Sequence, residues 1–170
     1  KDGLKRLLLP SLKREALSEL KEKTSSEAIN LFGKNLKGLL LTPPLVNQVI
    51  LGMDPGYVSG CKLAVLDING DYLASNVIYP TKPKEDFTSS SKIVLELIKK
   101  YKINSIAIGN GTASQETAAF VAKLIEENKL DVKFAIVSEI GASVYSASKI
   151  AIQEYPNLDV TIRGAISIAQ

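Results

Sequence analysis

The sequence contains no histidine and a single cysteine, Cys61. Because histidine is absent, the chain by itself cannot supply a His-dependent catalytic triad or a His-ligated metal site. A single cysteine excludes an internal disulfide and is typical of a reducing compartment. No apolar run approaches the ~18 residues that a membrane-spanning helix needs, and no signal peptide is recognisable. These absences point away from secreted and membrane-embedded proteins.

The sequence also lacks a large excess of positive or negative residues. The 21 basic and 18 acidic residues give a formal net charge of +3, which neither establishes nucleic-acid binding nor opposes it. The 170 residues are enough for one domain with an appendage. The chain lacks an initiator methionine and ends within an unfinished pattern, "RGAISIAQ", so we expect it to be an internal piece of a longer protein.

The first 46 residues have a helical pattern. Apolar residues recur at spacings near 3.6 with charged residues between them, which predicts a helical pair or one bent helix that packs on neighbouring structure. Pro10 and Ser11 are a start signal for a helix, and "TPP" at 42–44 should end it because proline cannot continue a helix. We therefore predict a helical segment over 1–46 and a separate domain over 47–170.

From Gln48 onward, short apolar runs alternate with turns and then with helical stretches. The runs predict five strands, near 48–54, 62–68, 72–79, 104–109 and 132–138. Asn69-Gly70 predicts a two-residue hairpin turn between the second and third strands. Tight turns followed by helical crossovers predict an antiparallel meander and then parallel strands. This order predicts an α/β, RNase H-like fold with a mixed five-stranded sheet and flanking helices.

Three helices are expected between or after these strands. The first should cover 88–102, and the third should cover 141–155 before Pro156 ends it. The second should begin at Thr112, because Thr112 and Gln115 have the spacing of a capping box.

Two carboxylates follow predicted strands and are candidates for a divalent-metal site. Asp54 ends the first strand, and Glu139 follows the fifth. Two-metal nucleases hold their ions about 3.5–4 Å apart, and Mg²⁺ prefers the oxygen ligands that Asp and Glu provide. Each acid has a structural alternative: Asp54 as a turn residue before Pro-Gly, and Glu139 as a carboxylate at a helix N-terminus.

A third carboxylate is not evident at the same edge of the sheet. The fourth strand ends in Gly109 and Asn110, and an asparagine brings no charge. The region expected to close the site contains Arg163 and Gly164, while Asp159 lies upstream in a predicted loop. Because a guanidinium opposes cation binding, we expect Arg163 to lie near the missing acid and to make the site a poor metal cage.

The segment "GNGTAS", residues 109–114, resembles a phosphate-binding loop at a helix N-terminus. Asn110, Thr112 and Ser114 are therefore candidates for contact with an anion or a nucleic acid. The Gly-Lys-Ser/Thr ending of a Walker loop is missing, and a plain strand-to-helix turn is the alternative explanation.

Four segments of the sequence resemble the signature blocks of the bacterial Tex family of transcription accessory proteins. The segments are "LGMDPGYVSGCKLAVLD", "IAIGNGTASQET", "VSEIGASVYSAS" and "LDVTIRGAISIAQ". They resemble the YqgF domain of that family, a RuvC-like and RNase H-like module, and the preceding residues resemble the helical segment before it. The likeness covers nearly the whole chain.

The resemblance implies a cytoplasmic transcription accessory protein that binds RNA or DNA through its full length and works with the transcription machinery. YqgF relatives that act as nucleases or Holliday-junction resolvases use acids that Asp54 and Glu139 match, but their last-helix Asp falls near Arg163-Gly164. The resemblance therefore implies a catalytically degenerate scaffold and no enzyme activity. No cofactor would be required, and Asp54 and Glu139 would bind Mg²⁺ or Mn²⁺ weakly if at all.

Two other functions stay open at this point. One is a metal-dependent nuclease or Holliday-junction resolvase-like enzyme that uses the two acids. The other is a nucleotide-binding module that uses the glycine loops.

Overall fold

A computed structural model describes residues 2–41 and 45–170. These residues form two units, divided before Leu45. The first unit begins with a π-helical stretch, Leu4–Leu8, which continues directly into helix α1, Leu9–Leu40. The helical backbone thus begins earlier than the predicted start at Pro10 and Ser11, and Pro10 lies at the point where the π-helical stretch continues into α1. The predicted end at "TPP" lies outside the described residues, and the packing of this helix stays a prediction.

The second unit is built on a mixed sheet of five strands. Their bounds are β1, Ile50–Asp54; β2, Cys61–Leu66; β3, Tyr72–Ile78; β4, Ser105–Gly109; and β5, Lys133–Val137. The strand order is β3-β2-β1-β4-β5. Strands β1, β2 and β3 pair antiparallel, while β4 pairs parallel with β1 and with β5. The predicted meander and parallel crossovers are confirmed.

Five helices complete the described part of this unit. They are α2, Phe87–Tyr101; α3, Ser114–Asn128; α4, Ile140–Ser146; α5, Lys149–Glu154; and α6, Val160–Ala169. The single helix predicted over 141–155 is wrong, because two short helices occupy this stretch. The break occurs at Ser148, whose backbone is extended and whose hydroxyl accepts a hydrogen bond from the N–H of Ala151. A serine in this position caps a new helix.

The connection between β2 and β3 also differs from the prediction. The N–H of Gly70 donates to the carbonyl of Asp67, and Gly70 has a positive φ of 88°. The Asp67 carboxylate accepts hydrogen bonds from the N–H groups of Asn69 and Asp71. The turn therefore runs from Asp67 to Asp71, and the two-residue Asn69-Gly70 turn is wrong because the Asp67 side chain organises a longer one.

Helices cover both faces of the sheet and create two apolar clusters. The larger one includes Leu51, Met53, Cys61, Leu63, Ile106, Ile108, Val121 and Leu124. The smaller one lies against α6 and includes Ala64, Leu66, Ala165, Ile166 and Ala169. Helix α6 can approach β1 closely because Gly52 has no side chain: a Cβ atom there would overlap the Ala165 carbonyl and lie 2.9 Å from the Ala169 Cβ. This close approach fixes the position of α6 over the sheet.

None of the described helices is long and apolar enough to cross a membrane.

Candidate functional site

A cleft of about 220 Å³ lies where β1 ends and the chain leaves β5 for α4. Asp54 is the last residue of β1, Glu139 immediately precedes α4, and Gly164 lies within α6. The remaining lining residues are small, apolar or hydroxyl-bearing: Ala142, Ser143, Ser146, Ala147, Val160, Thr161 and Ile168. Parallel strands end at one edge of a sheet, and this topology brings the two predicted acids into one cleft.

The carboxylate of Glu139 lies against the glycine loop that follows β4. A Cβ atom at Gly111 would overlap Glu139 Oε1, and a Cβ atom at Gly109 would overlap Oε2. The side chain of Asn110 accepts a hydrogen bond of 3.1 Å from the N–H of Glu139. Glycines thus make room for the carboxylate, and Asn110 fixes the backbone that carries it.

The charges of the two acids are only partly compensated within the described residues. Glu139 Oε2 is buried and has no hydrogen-bond partner among the described residues. Burial raises the pKa of Asp54, the negative charge of Glu139 raises it further, and the positive charge of Lys62 lowers it. Because the two carboxylates repel each other, a cation between them would be stabilised.

The position facing Asp54 from α6 is occupied by Gly164. A Cβ atom there would lie 3.2 Å from Asp54 Oδ2, so a carboxylate on this residue would lie beside that of Asp54, in the cleft that Glu139 also lines. Because Gly164 has no side chain, α6 offers no side-chain metal ligand at this point of the cleft.

The prediction that Arg163 lies near the missing acid is wrong. The side chain of Arg163 is buried, and its Nε donates a 2.9 Å hydrogen bond to the carbonyl of Ser146. Its Nη1 donates to the carbonyls of Leu158 and Tyr155, at 2.8 and 3.5 Å. Ser146 ends α4 and Tyr155 follows α5, so the guanidinium stabilises the negative ends of two short helices and does not face the carboxylates.

Asp159 is used as a helix cap and does not line the cleft. Its exposed carboxylate accepts hydrogen bonds from the N–H and the hydroxyl of Thr161, at 2.8 and 2.7 Å. These bonds hold the pKa of Asp159 below its usual range. The Asp159 carboxylate therefore caps the first turn of α6.

The loop 109–114, whose sequence resembles a phosphate-binding loop, does not begin α3 with the predicted cap. Ala113 precedes the helix in the left-handed region, with a φ of 64°, and no side chain caps the helix. The capping box of Thr112 and Gln115 is therefore wrong. Thr112 is exposed, Ser114 is buried, and their predicted contact with an anion stays a prediction.

Sequence reasoning missed Lys62, which is directly opposite Asp54 in the antiparallel pair of β1 and β2. Its side chain is only 7% exposed. A usable signal was present in the sequence, because a lysine inside an otherwise apolar strand is unusual and residues of a buried strand seldom carry an unpaired charge.

The donor set does not fit a pair of divalent ions. Two-metal sites need a clamp of several carboxylates, and no group of three acidic or cysteine side chains that could hold a metal occurs in residues 2–41 and 45–170. The cleft offers two carboxylates and, at the third position, Gly164. The unpartnered Glu139 Oε2 still marks this as the place where a cation would be stabilised.

Comparison with known proteins assigns the domain to a family. Residues 48–170 match the family model of the Tex protein YqgF-like domain. The chain belongs to the Tex family. "Transcriptional accessory protein Tex" of Neisseria gonorrhoeae is 44% identical over 163 residues, which are 94% of this chain and 21% of that protein. "S1 RNA-binding domain-containing protein 1" of Homo sapiens is 42% identical over 172 residues, which are 99% of this chain and 17% of that protein.

The Tex-family chain thus spans about a fifth of the length of these relatives. Among solved structures, Thermus thermophilus RuvC matches with a TM-score of 0.51 and 18% identity, over 71% of this chain and 90% of that chain. This similarity confirms the predicted RuvC-like, RNase H-like fold. Together with the family match, it confirms the resemblance found in the sequence.

Proposed function

We propose that residues 48–170 are a catalytically degenerate RNase H-like module that serves as a scaffold in a nucleic-acid-binding transcription accessory protein. The observation that carries the proposal is Gly164, whose missing side chain faces Asp54 Oδ2 at 3.2 Å from the Cβ position. Two-metal hydrolysis clamps the attacking and leaving oxygens between two ions. Two carboxylates and a glycine are too few ligands for that clamp.

The names of the relatives support the nucleic-acid context. One relative is named as a transcriptional accessory protein and another for an S1 RNA-binding domain. We place the full-length protein in the cytoplasm, on RNA or DNA and with the transcription machinery as partner. The chain alone has a net charge of +3, so we expect it to bind nucleic acid weakly and with a steep dependence on salt.

No cofactor is required for a scaffold. Asp54 and Glu139 are the ligands of any single Mg²⁺ or Mn²⁺ ion, and we expect such an ion to bind weakly because two carboxylates complete neither an octahedral shell nor a second site. Asn110 is an indirect contributor, since its hydrogen bond fixes the backbone of Glu139.

The alternative is a metal-dependent nuclease or Holliday-junction resolvase-like enzyme. The buried and unpartnered Oε2 of Glu139, in the same cleft as Asp54, favours it. A nuclease would have to recruit a third ligand, and Asp159 would then have to leave its capping bonds with Thr161.

A cleavage assay separates the two proposals. The 170-residue chain is incubated with four-way-junction DNA, duplex DNA and single-stranded RNA in Mg²⁺ and in Mn²⁺. Asp54→Asn removes one acid of the cleft, and Asp131→Asn makes the same charge change before β5, at the opposite end of that strand from Glu139. We expect no specific cleavage by any of the three proteins. Cleavage by the wild type and by Asp131→Asn, but not by Asp54→Asn, would establish the nuclease and reject the scaffold.

Binding is measured in parallel by fluorescence anisotropy of labelled RNA and junction DNA over a series of salt concentrations. Weak, salt-sensitive binding is expected. Salt-resistant binding in the sub-micromolar range by this chain alone would contradict the expectation that the rest of the protein carries the affinity.

A further inference from the structure

Lys62 is a buried cation on the same face of the sheet as the carboxylate pair. Asp54 and Lys62 are directly opposite each other in antiparallel strands, and such residues project to the same side. That side faces α6, since the next residue on this face of β2, Ala64, packs in the cluster with Ala165 and Ile166. Only 7% of Lys62 is exposed, although lysines are almost never this buried without compensation.

The loop between β1 and β2 holds the ammonium group in place. Lys62 Nζ donates one hydrogen bond to Ser59 Oγ and another, of 2.9 Å, to the carbonyl of Gly60. Gly60 has a φ of 77°, and a Cβ atom there would lie 2.6 Å from the Tyr79 ring, so only glycine presents its carbonyl this way. The hydroxyl of Tyr57 donates a 2.6 Å hydrogen bond to Glu116 at the start of α3. This bond ties the loop to the helix layer.

The contacts of Lys62 give its ammonium group two hydrogen-bond acceptors but no negative charge. Both acceptors are neutral, and no carboxylate oxygen of residues 2–41 and 45–170 lies within the 4.0 Å of an ion pair with Nζ. A buried charge needs an opposite charge nearby. Arg163 donates its hydrogen bonds to main-chain carbonyls. Lys62 is therefore the cation opposite Asp54, and the Asp54–Glu139 pair supplies the negative charge on the same face of the sheet.

We propose that the Lys62 ammonium is the resident cation of the Asp54–Glu139 pair and that it excludes divalent metal from the cleft. This inference rests on the proposed scaffold function and adds a reason for it. A divalent ion between the carboxylates would be repelled by a fixed positive charge on the adjacent strand, in an environment where partial burial limits screening. One of the two negative charges of the cleft is thus offset from within the chain.

The test measures Mn²⁺ affinity of the wild-type chain and of Lys62 variants by isothermal titration calorimetry at constant ionic strength. Lys62→Gln and Lys62→Met remove the charge, Lys62→Arg keeps it, and Lys92→Met removes an exposed charge on α2. We expect Lys62→Gln and Lys62→Met to bind Mn²⁺ about tenfold more tightly or better, and Lys62→Arg and Lys92→Met to bind like the wild type. Adding Asp54→Asn to Lys62→Gln should abolish the gain. No gain in Lys62→Gln, or an equal gain in Lys92→Met, would overturn the inference.

A second measurement needs no Lys62 variant and decides the question if those variants fail to fold. The ¹⁵Nζ resonance and proton exchange of Lys62 are recorded by NMR in the wild type and in Asp54→Asn. A shifted resonance or faster exchange in Asp54→Asn supports the pairing, and an ammonium signal that is the same in both proteins overturns it. Nuclease activity of the wild type would reject the scaffold function instead, so the two failures are distinguishable.

Discussion

Replacing Gly164 by aspartate tests whether the cleft lacks only one ligand. The Cβ position of Gly164 lies 3.2 Å from Asp54 Oδ2, and α6 is held over β1 by the close contact at Gly52. The introduced carboxylate would therefore lie close to that of Asp54. We expect Gly164→Asp to destabilise the metal-free chain and to gain Mn²⁺ affinity, because three carboxylates that repel one another become ligands of one cation.

The size of the effect follows from the distances. Two unit charges about 4 Å apart repel each other by about 4 kcal/mol at an effective dielectric constant near 20. Asp54 is only partly buried, and solvent screening reduces this figure, so we expect a loss of about 1–3 kcal/mol in unfolding free energy at neutral pH. The pKa of Asp54 is already raised from 3.8 and would rise further. The penalty therefore grows as pH rises above that ordinary value, and it vanishes at lower pH, where the carboxyls are neutral in both states.

Urea unfolding followed by circular dichroism, in EDTA and in Mn²⁺, measures the prediction. Gly164→Ala is the control for the added Cβ atom. Alanine exceeds aspartate in helix propensity by up to about 0.7 kcal/mol, so only a larger difference between the two variants reports the charge. Mn²⁺ should restore the stability of Gly164→Asp and leave Gly164→Ala unchanged. If Gly164→Asp is as stable as Gly164→Ala in EDTA at neutral pH, or if Mn²⁺ has no effect on it, the geometry inferred for the third position is incorrect.

Three further predictions concern the same cleft. Gly111→Ala should displace the Glu139 carboxylate and bring the pKa of Asp54 closer to its ordinary value in a ¹³C NMR titration, whereas Gly141→Ala, with open space around it, should not. Asp54→Asn should stabilise the chain in urea at neutral pH but not at acidic pH, because the raised pKa means that ionising Asp54 costs folding free energy. Arg163→Met should cost about 2–4 kcal/mol, since it leaves buried carbonyls unsatisfied, yet it should not change Mn²⁺ affinity; a gain in affinity would contradict the placement of this side chain.

The strand pattern was the most predictable part of the fold. The apolar runs were short, separated by glycine turns or by helical stretches, and each run became a strand within one or two residues of its predicted bounds. The details of one turn and one helix cap were not predicted. Asp67 reorganised the Asn69-Gly70 turn through its own side chain, and Ala113 entered the left-handed region before α3. Both outcomes depend on hydrogen bonds and packing that spacing rules do not contain.

The two acids of the candidate site were predicted from the sequence, and the nearby lysine, Lys62, was missed. Asp54 and Glu139 follow strands that end at one edge, so topology alone brings them together. The direction of the Arg163 side chain depends on where the ends of α4 and α5 fall, and those two helices were predicted as one. To predict that Lys62 lies opposite Asp54, the register of β1 against β2 has to be known. That register depends on the length of the loop between Asp54 and Cys61.

The glycine at position 164 and the buried lysine at position 62 both bear on the charge of the cleft. A half-buried pair of carboxylates destabilises a folded domain at neutral pH unless positive charge lies nearby, and a bound metal ion would provide that charge only when metal is present. Lys62 provides it permanently, because its position is fixed by strand register and by the carbonyl of Gly60. A third carboxylate at Gly164 would increase the excess negative charge of the cleft and would lower stability. Glycine at position 164 and lysine at position 62 therefore act in the same direction, since both limit the net negative charge around Asp54 and Glu139.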